Sequence, residues 1–171
     1  MTGKVVIYEV LDELGRESSL QSLKSYLEEF DPQRIFISWG ELNDDLYNYL
    51  DSIYRSVPIE IIDCKSLAGM DSLRSPDMDV KKKILNLGLQ TIAQYVQANN
   101  KSLKDVNTEI TLTLFRAFFI FYSTAMPDDY ENMFEERRMC LYGKIIDRKF
   151  RDGDILITNP WDAYWFFDRL V

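Results

Sequence analysis

Acidic side chains are the reactive groups this chain carries in quantity. It holds 28 Asp and Glu against 20 Lys and Arg, a formal charge of -8, and no histidine. Without imidazole there is no His-activated Ser or Cys nucleophile, no His-ligated zinc and no imidazole base near neutral pH, which excludes much hydrolase chemistry. Carboxylates alone still suit Mg²⁺ or Mn²⁺, which prefer oxygen ligands. Glu9, Asp12 and Glu13 follow the first apolar run, and Asp63 follows a later one. If both runs are strands of one open sheet, these acids meet at its carboxyl edge, where such sheets place ligands. The competing reading puts Glu9 in solvent on an edge strand and Asp12 and Glu13 in a turn.

Other chemistries are excluded by what is missing. No GxGxxG, GxxxxGK[ST] or GxSxG occurs, so the common nucleotide and hydrolase signatures are absent. Cys64 and Cys140 are too few for a thiolate zinc site or a disulfide scaffold, and two buried free thiols in a reducing cytoplasm are expected. The opening MTGKVVIYEV lacks the long apolar core of a signal peptide. No apolar run approaches the ~18 residues that span a bilayer, so the expectation is a soluble, cytoplasmic protein with no membrane partner. The negative charge opposes direct binding to nucleic-acid phosphate.

The elements that would position these groups alternate in type. Lys4 to Val10 reads as a strand, and Glu17 to Phe30 as a helix with Leu20, Leu23, Leu27 and Phe30 on one face. Arg34 to Trp39 is a strand between Pro32 and Gly40. Leu42 to Arg55 is a second amphipathic helix, and Ile59 to Ile62 a third strand after Pro58. Such β-α-β-α-β order gives parallel pairing through right-handed crossovers, hence an α/β class. Leu67 to Met78 reads as a surface loop leading into Lys81, Lys82 and Lys83, and Leu87 to Val96 as an amphipathic helix. Thr108 to Tyr122, apolar nearly all round, is expected to be deeply buried. After Pro127 come an acidic surface helix to Met139, a hairpin of Leu141 to Asp147 with Asp154 to Thr158, and a closing helix capped by Asn159 with Pro160 at its first position. A single domain over residues 1–171 follows, with its core in about 1–125 and an extension in about 126–171.

The extension carries two candidate recognition features. Trp161, Tyr164, Trp165 and Asp168 fall near one helical face, either as core or as an interface for a protein partner or a second copy. The acidic helix with Asp128, Asp129 and Glu135 would either be solvated or face a basic partner in the manner of a phosphate backbone.

FISWGELNDDLYNYL, then VPIEIIDCKSLAG, then LNLGLQTIAQYV, taken together over about residues 17–123, resemble the DEDDh group of 3'-to-5' exonucleases, which have an RNase H-like fold. The resemblance implies a mixed sheet flanked by helices and four carboxylates holding two divalent metals about 4 Å apart, assisted by a histidine. The departures are specific. Asn43 stands where the family has Asp three residues after Gly40, and Asp44 is turned about 100° from that position on a helix. The segment DVNTEITL offers Asn107 or Glu109 where the family has His and its final Asp. The first acidic strand is missing, unless the hairpin with Asp147 and Asp154 supplies it in permuted order.

The expectation is therefore a catalytically degenerate exonuclease-like protein without a cofactor. It would act as a protein-binding module, an acidic inhibitor of a nucleic-acid-processing enzyme being one form. The alternative is an active Mg²⁺- or Mn²⁺-dependent nuclease using Glu9, Asp44, Asp63 and Glu109.

Overall fold

A computed structural model of the chain describes residues 3–8, 15–40, 42–64, 76–99, 102–125 and 128–171. Four strands and seven helices follow in the order β1 (Lys4–Ile7), α1 (Gly15–Leu27), β2 (Arg34–Ser38), α2 (Asn43–Ile53), β3 (Ile59–Ile61), α3 (Pro76–Asn99), α4 (Leu103–Val106), α5 (Glu109–Ala125), α6 (Asp128–Asp147), β4 (Asp154–Thr158) and α7 (Pro160–Leu170). The sheet order is β1-β4-β2-β3, and all three pairings are parallel. The α/β class holds. The mixed sheet implied by the exonuclease resemblance is not what the described strands form.

β4 forms the middle of the sheet. Val5 pairs with Leu156 on one side, and Phe36 pairs with Leu156 on the other. Every residue of DILIT is buried, as a parallel strand covered on both faces requires. The expected hairpin is therefore corrected. Leu141 to Asp147 continues α6, because Arg138, Leu141 and Ile145 recur at helical spacing and all three are buried, while Ile146 is exposed. A short apolar run cannot be told from a helix segment by its content alone, and here the preceding helix decides. Two further expectations change. Residues 76–78, read as loop, open α3, and α5 is not buried all round: Ile110, Ile120 and Phe121 are exposed.

The crossovers from β1 to β2 and from β2 to β3 step one way across the sheet, and β3 to β4 steps back. With right-handed crossovers their helices lie on opposite faces. The helix packing divides likewise for α1 touching α2 and for α5 touching α3, α6 and α7, while α4, although in the β3–β4 connection, packs on α1.

The amino edge of the sheet is locked by charge. Buried Asp154 accepts hydrogen bonds from Arg34 Nε at 2.9 Å and from the Arg151 backbone N–H at 2.8 Å, while Arg34 also donates to the Arg148 and Lys149 carbonyls. On the far edge α6 clamps β3 along one helical stripe. Arg148 pairs with Glu60, Lys144 donates to the Asp63 carbonyl, and Cys140 forms a disulfide with Cys64. The expectation of free thiols gives way to this covalent tie. No helix among the described residues is long and apolar enough to cross a membrane.

Candidate functional site

β2 leads into α2 on one face, and its neighbour β4 leads into α7 on the other, so the chain parts at their carboxyl ends. Open α/β sheets bind ligands at such a place. Four side chains occupy it. Asn43 Oδ1 accepts from the Trp39 N–H at 2.7 Å and the Gly40 N–H at 3.1 Å, fixing the turn in which Gly40 takes φ +96°. The Trp39 indole N–H reaches across the end of β4 to the Tyr8 carbonyl at 2.8 Å. Thr158 Oγ1 donates to the Ser38 carbonyl at 3.0 Å, and the Ser38 hydroxyl is buried without a partner. Asn43, which stands where the exonuclease resemblance would place an aspartate, thus shapes a turn with its side-chain oxygen.

The candidate metal ligands do not converge on this edge. Glu9, with Asp12 and Glu13, lies outside the described residues. Asp44 is exposed in the first turn of α2, and Asp63 is exposed beyond β3. Glu109 is exposed in the first turn of α5, beside the outer edge of β1. β1 and β3 are the two edge strands, three strand spacings or roughly 14 Å apart, so Asp63 and Glu109 cannot share a two-metal site of about 4 Å. Asp154 sits at the opposite end of β4 and is held by Arg34, and Asp147 ends α6, so neither supplies a substitute. Among the described residues no group of three His, Cys, Asp or Glu side chains could hold a metal ion. Asn107, weighed as a stand-in for the last acid, pairs with β1 like a strand: it accepts from the Ile7 N–H at 2.6 Å and donates to the Ile7 carbonyl at 2.9 Å. Beside it lies a groove of about 760 Å³ lined by Lys4, Tyr26, Glu109 and Arg116. The Lys4 ammonium lies 3.3 Å from the centre of the Phe30 ring, and burial lowers its pKa.

Of the candidate recognition residues, Trp165 and Glu135 come together. α5, α6 and α7 enclose a cleft of about 420 Å³ lined by Phe119, Ile120, Glu135, Arg138, Tyr164, Trp165 and Arg169. Its floor is an ion network. Arg138, 1% exposed, donates from Nε to Asp162 Oδ1 at 2.9 Å, from Nη1 to the Tyr164 hydroxyl at 3.2 Å and from Nη2 to the Trp161 carbonyl at 3.0 Å. Arg137 holds the other Asp162 oxygen at 2.6 Å, and the Phe119 ring lies 4.0 Å from the Arg138 guanidinium carbon. Burial pushes the Asp162 carboxyl up, but the charges and hydrogen bonds of Arg137 and Arg138 outweigh it, so its pKa lies below the usual carboxylate value. Burial raises the Tyr164 phenol to about 12. Above this floor the Trp165 indole N–H donates to Glu135 at 2.9 Å, and Arg169 stacks 3.7 Å over the Trp165 ring. Trp165 is 4% exposed, so the cleft reaches only its margin. Trp161, half-buried, packs on Phe115 and Phe118 at the margin of the core, and Asp128 and Asp129 open α6.

Arg138 was missed at the level of sequence. Its signal was present: it stands three residues before Leu141 and seven before Ile145, on the apolar stripe of an otherwise charged helix. Compared with known proteins, the chain matches no family model, no curated protein and no solved structure. The fold and the site define an α/β protein with a four-stranded parallel sheet and an aromatic, arginine-floored cleft on one helical layer.

Proposed function

We propose that this chain is a catalytically inactive protein-binding module and that the α5–α6–α7 cleft is its recognition surface. The observation that carries the reading is the cleft's composition. Trp, Tyr and Arg dominate binding hot spots, and here Trp165, Tyr164 and Arg169 are held in place by Glu135 and Arg138 before any partner arrives. Exposed Ile120 on its rim and exposed Phe121 beside it on α5 supply apolar area that water would leave on docking. The net charge of -8 favours a basic partner, of the kind that processes nucleic acid, and predicts association weakened by salt.

The test has two arms. End-labelled single- and double-stranded oligonucleotides are incubated with the protein in Mg²⁺ and in Mn²⁺, beside an Asp63→Ala, Glu109→Ala double variant. Intact substrate in every lane is expected; degradation lost in the variant would overturn the proposal in favour of a metal-dependent nuclease. In the second arm a photo-crosslinking residue at Ile120 captures a partner, and Phe121→Asp with Arg169→Glu abolishes capture. Capture indifferent to these changes and to salt would remove the cleft from the reading.

A further inference from the structure

α3 presents a second, independent surface. Its contacts are with α5, where Gly88 sits so close that an added Cβ would lie 3.1 Å from the Phe118 ring. A second face, centred about 80° round the helix from Gly88, is open along its length. Val80, Ile84, Leu87, Thr91, Gln94 and Ala98 are all exposed, Val80 by 58%, Ile84 by 59% and Leu87 by 63%. Their spacing alternates four, three, four, three, four, which is the seam of a left-handed coiled coil. Three large aliphatic side chains facing water on one helix form the kind of contiguous patch that marks an interaction site.

The seam is self-complementary in one orientation only. Run antiparallel against a second copy, it pairs Val80 with Ala98, Ile84 with Gln94 and Leu87 with Thr91, so a large side chain meets a smaller one at each layer and each pair occurs twice. The flanks agree. Lys81 of one copy lies opposite Tyr95 of the other, 59% exposed, so an ammonium meets an aromatic face. Lys83 approaches the carboxyl end of the facing helix, where cations are favoured. A parallel pairing would instead set Lys81 and Lys83 of both copies against each other and align the three large layers at one end. We infer that this protein self-associates as a two-fold dimer through an antiparallel α3 seam centred between Leu87 and Thr91. A helix pair of this length buries on the order of 1,000 Å², the lower bound for a specific interface, and so gives a reversible dimer.

Sedimentation equilibrium of the full chain between micromolar and submillimolar concentration tests this. The expected result is a monomer–dimer equilibrium, weakened about a hundredfold by Leu87→Glu, which places two charges in the seam. The substituted side chain is exposed, so the far-ultraviolet spectrum and Tm of the dilute monomer are expected to stay as in the wild type. Orientation is read by charge reversal: Lys81→Glu weakens the dimer, and Tyr95→Lys added to it restores association, because residues 81 and 95 are opposite only in the antiparallel register. A monomer at every concentration, with the seam then left to a different protein, overturns the inference. So does a dimer indifferent to Leu87→Glu, or one that Tyr95→Lys fails to rescue. None of these outcomes bears on the α5–α6–α7 cleft.

Discussion

Replacing Arg138 by Met keeps the aliphatic volume against Phe119 and removes one buried charge. Three hydrogen bonds go with it, to Asp162, to the Tyr164 hydroxyl and to the Trp161 carbonyl. Asp162 remains fully buried and ionised, but Arg137 at 2.6 Å and Asn159 Nδ2 at 3.1 Å still serve one of its oxygens. Breaking a buried ion pair from one side costs about 3–5 kcal/mol, and the surviving Arg137 contact places this case near the lower end, at about 3 kcal/mol. A chain of this size loses roughly 2–4 °C of Tm per kcal/mol, so Arg138→Met melts about 6–12 °C lower by calorimetry at pH 7. The cause is the stranded carboxylate, so adding Asp162→Asn recovers a substantial part of the loss rather than adding to it. A fall below about 2 °C, or strict additivity of the two changes, would refute the account of the cleft floor as a coupled network.

Four further outcomes follow from the geometry. Acid unfolding is expected to draw on Asp162: its folded pKa lies below its unfolded one, so its contribution is complete above the unfolded value near 4 and is lost as pH falls through the folded value; Arg138→Met moves that loss to higher pH, read from urea midpoints across pH 2–6. On the alkaline side Tyr164, raised to about 12, stabilises the fold below pH 10 and loses that contribution between 10 and 12, seen as a late-ionising phenol by ultraviolet titration. Asn43→Ala frees two backbone N–H groups and costs about 1–2 kcal/mol in denaturant unfolding, whereas Asn43→Asp, which keeps an acceptor, stays near wild type and gains no nuclease activity. Dithiothreitol lowers Tm of the wild type by the equivalent of about 2–4 kcal/mol and leaves a Cys64→Ser, Cys140→Ser variant unchanged; a wild type indifferent to reductant would mean the tie does not form.

The α/β class was legible because Leu20, Leu23 and Leu27 or Leu42, Leu46 and Leu50 announce helices by local spacing, and RIFIS announces a buried strand by its composition. What escaped was set by distant partners. Nothing local distinguishes DILIT in the middle of a sheet from DILIT in a hairpin; the difference lies in pairing with residues 120 or more positions earlier. The same holds for the disulfide, whose cysteines are 76 residues apart and meet only because α6 lies along β3. At the candidate site, Trp165 and Glu135 were named and do meet, but Arg138, which supports Tyr164 beneath them, was hidden by the charged helix around it. Asn43 was read for metal chemistry, whereas its observed part is local: its side-chain oxygen accepts from the Trp39 and Gly40 N–H groups.

The position of β4 also governs how the protein can be made. Translation delivers β1, β2 and β3 first, and β1 and β2 then stand apart with the gap between them unfilled. Residues 154–158 must be synthesised before the gap closes, so folding cannot proceed piecemeal behind the ribosome and must await a late segment. Until then two apolar strand edges are exposed to neighbours of the same kind, a state that invites aggregation and favours capture by a chaperone. Pairing over such separations also implies slow folding once the segment arrives. A stop codon anywhere before Asp154 would leave at most the β2–β3 pair, with β1 cut off from it.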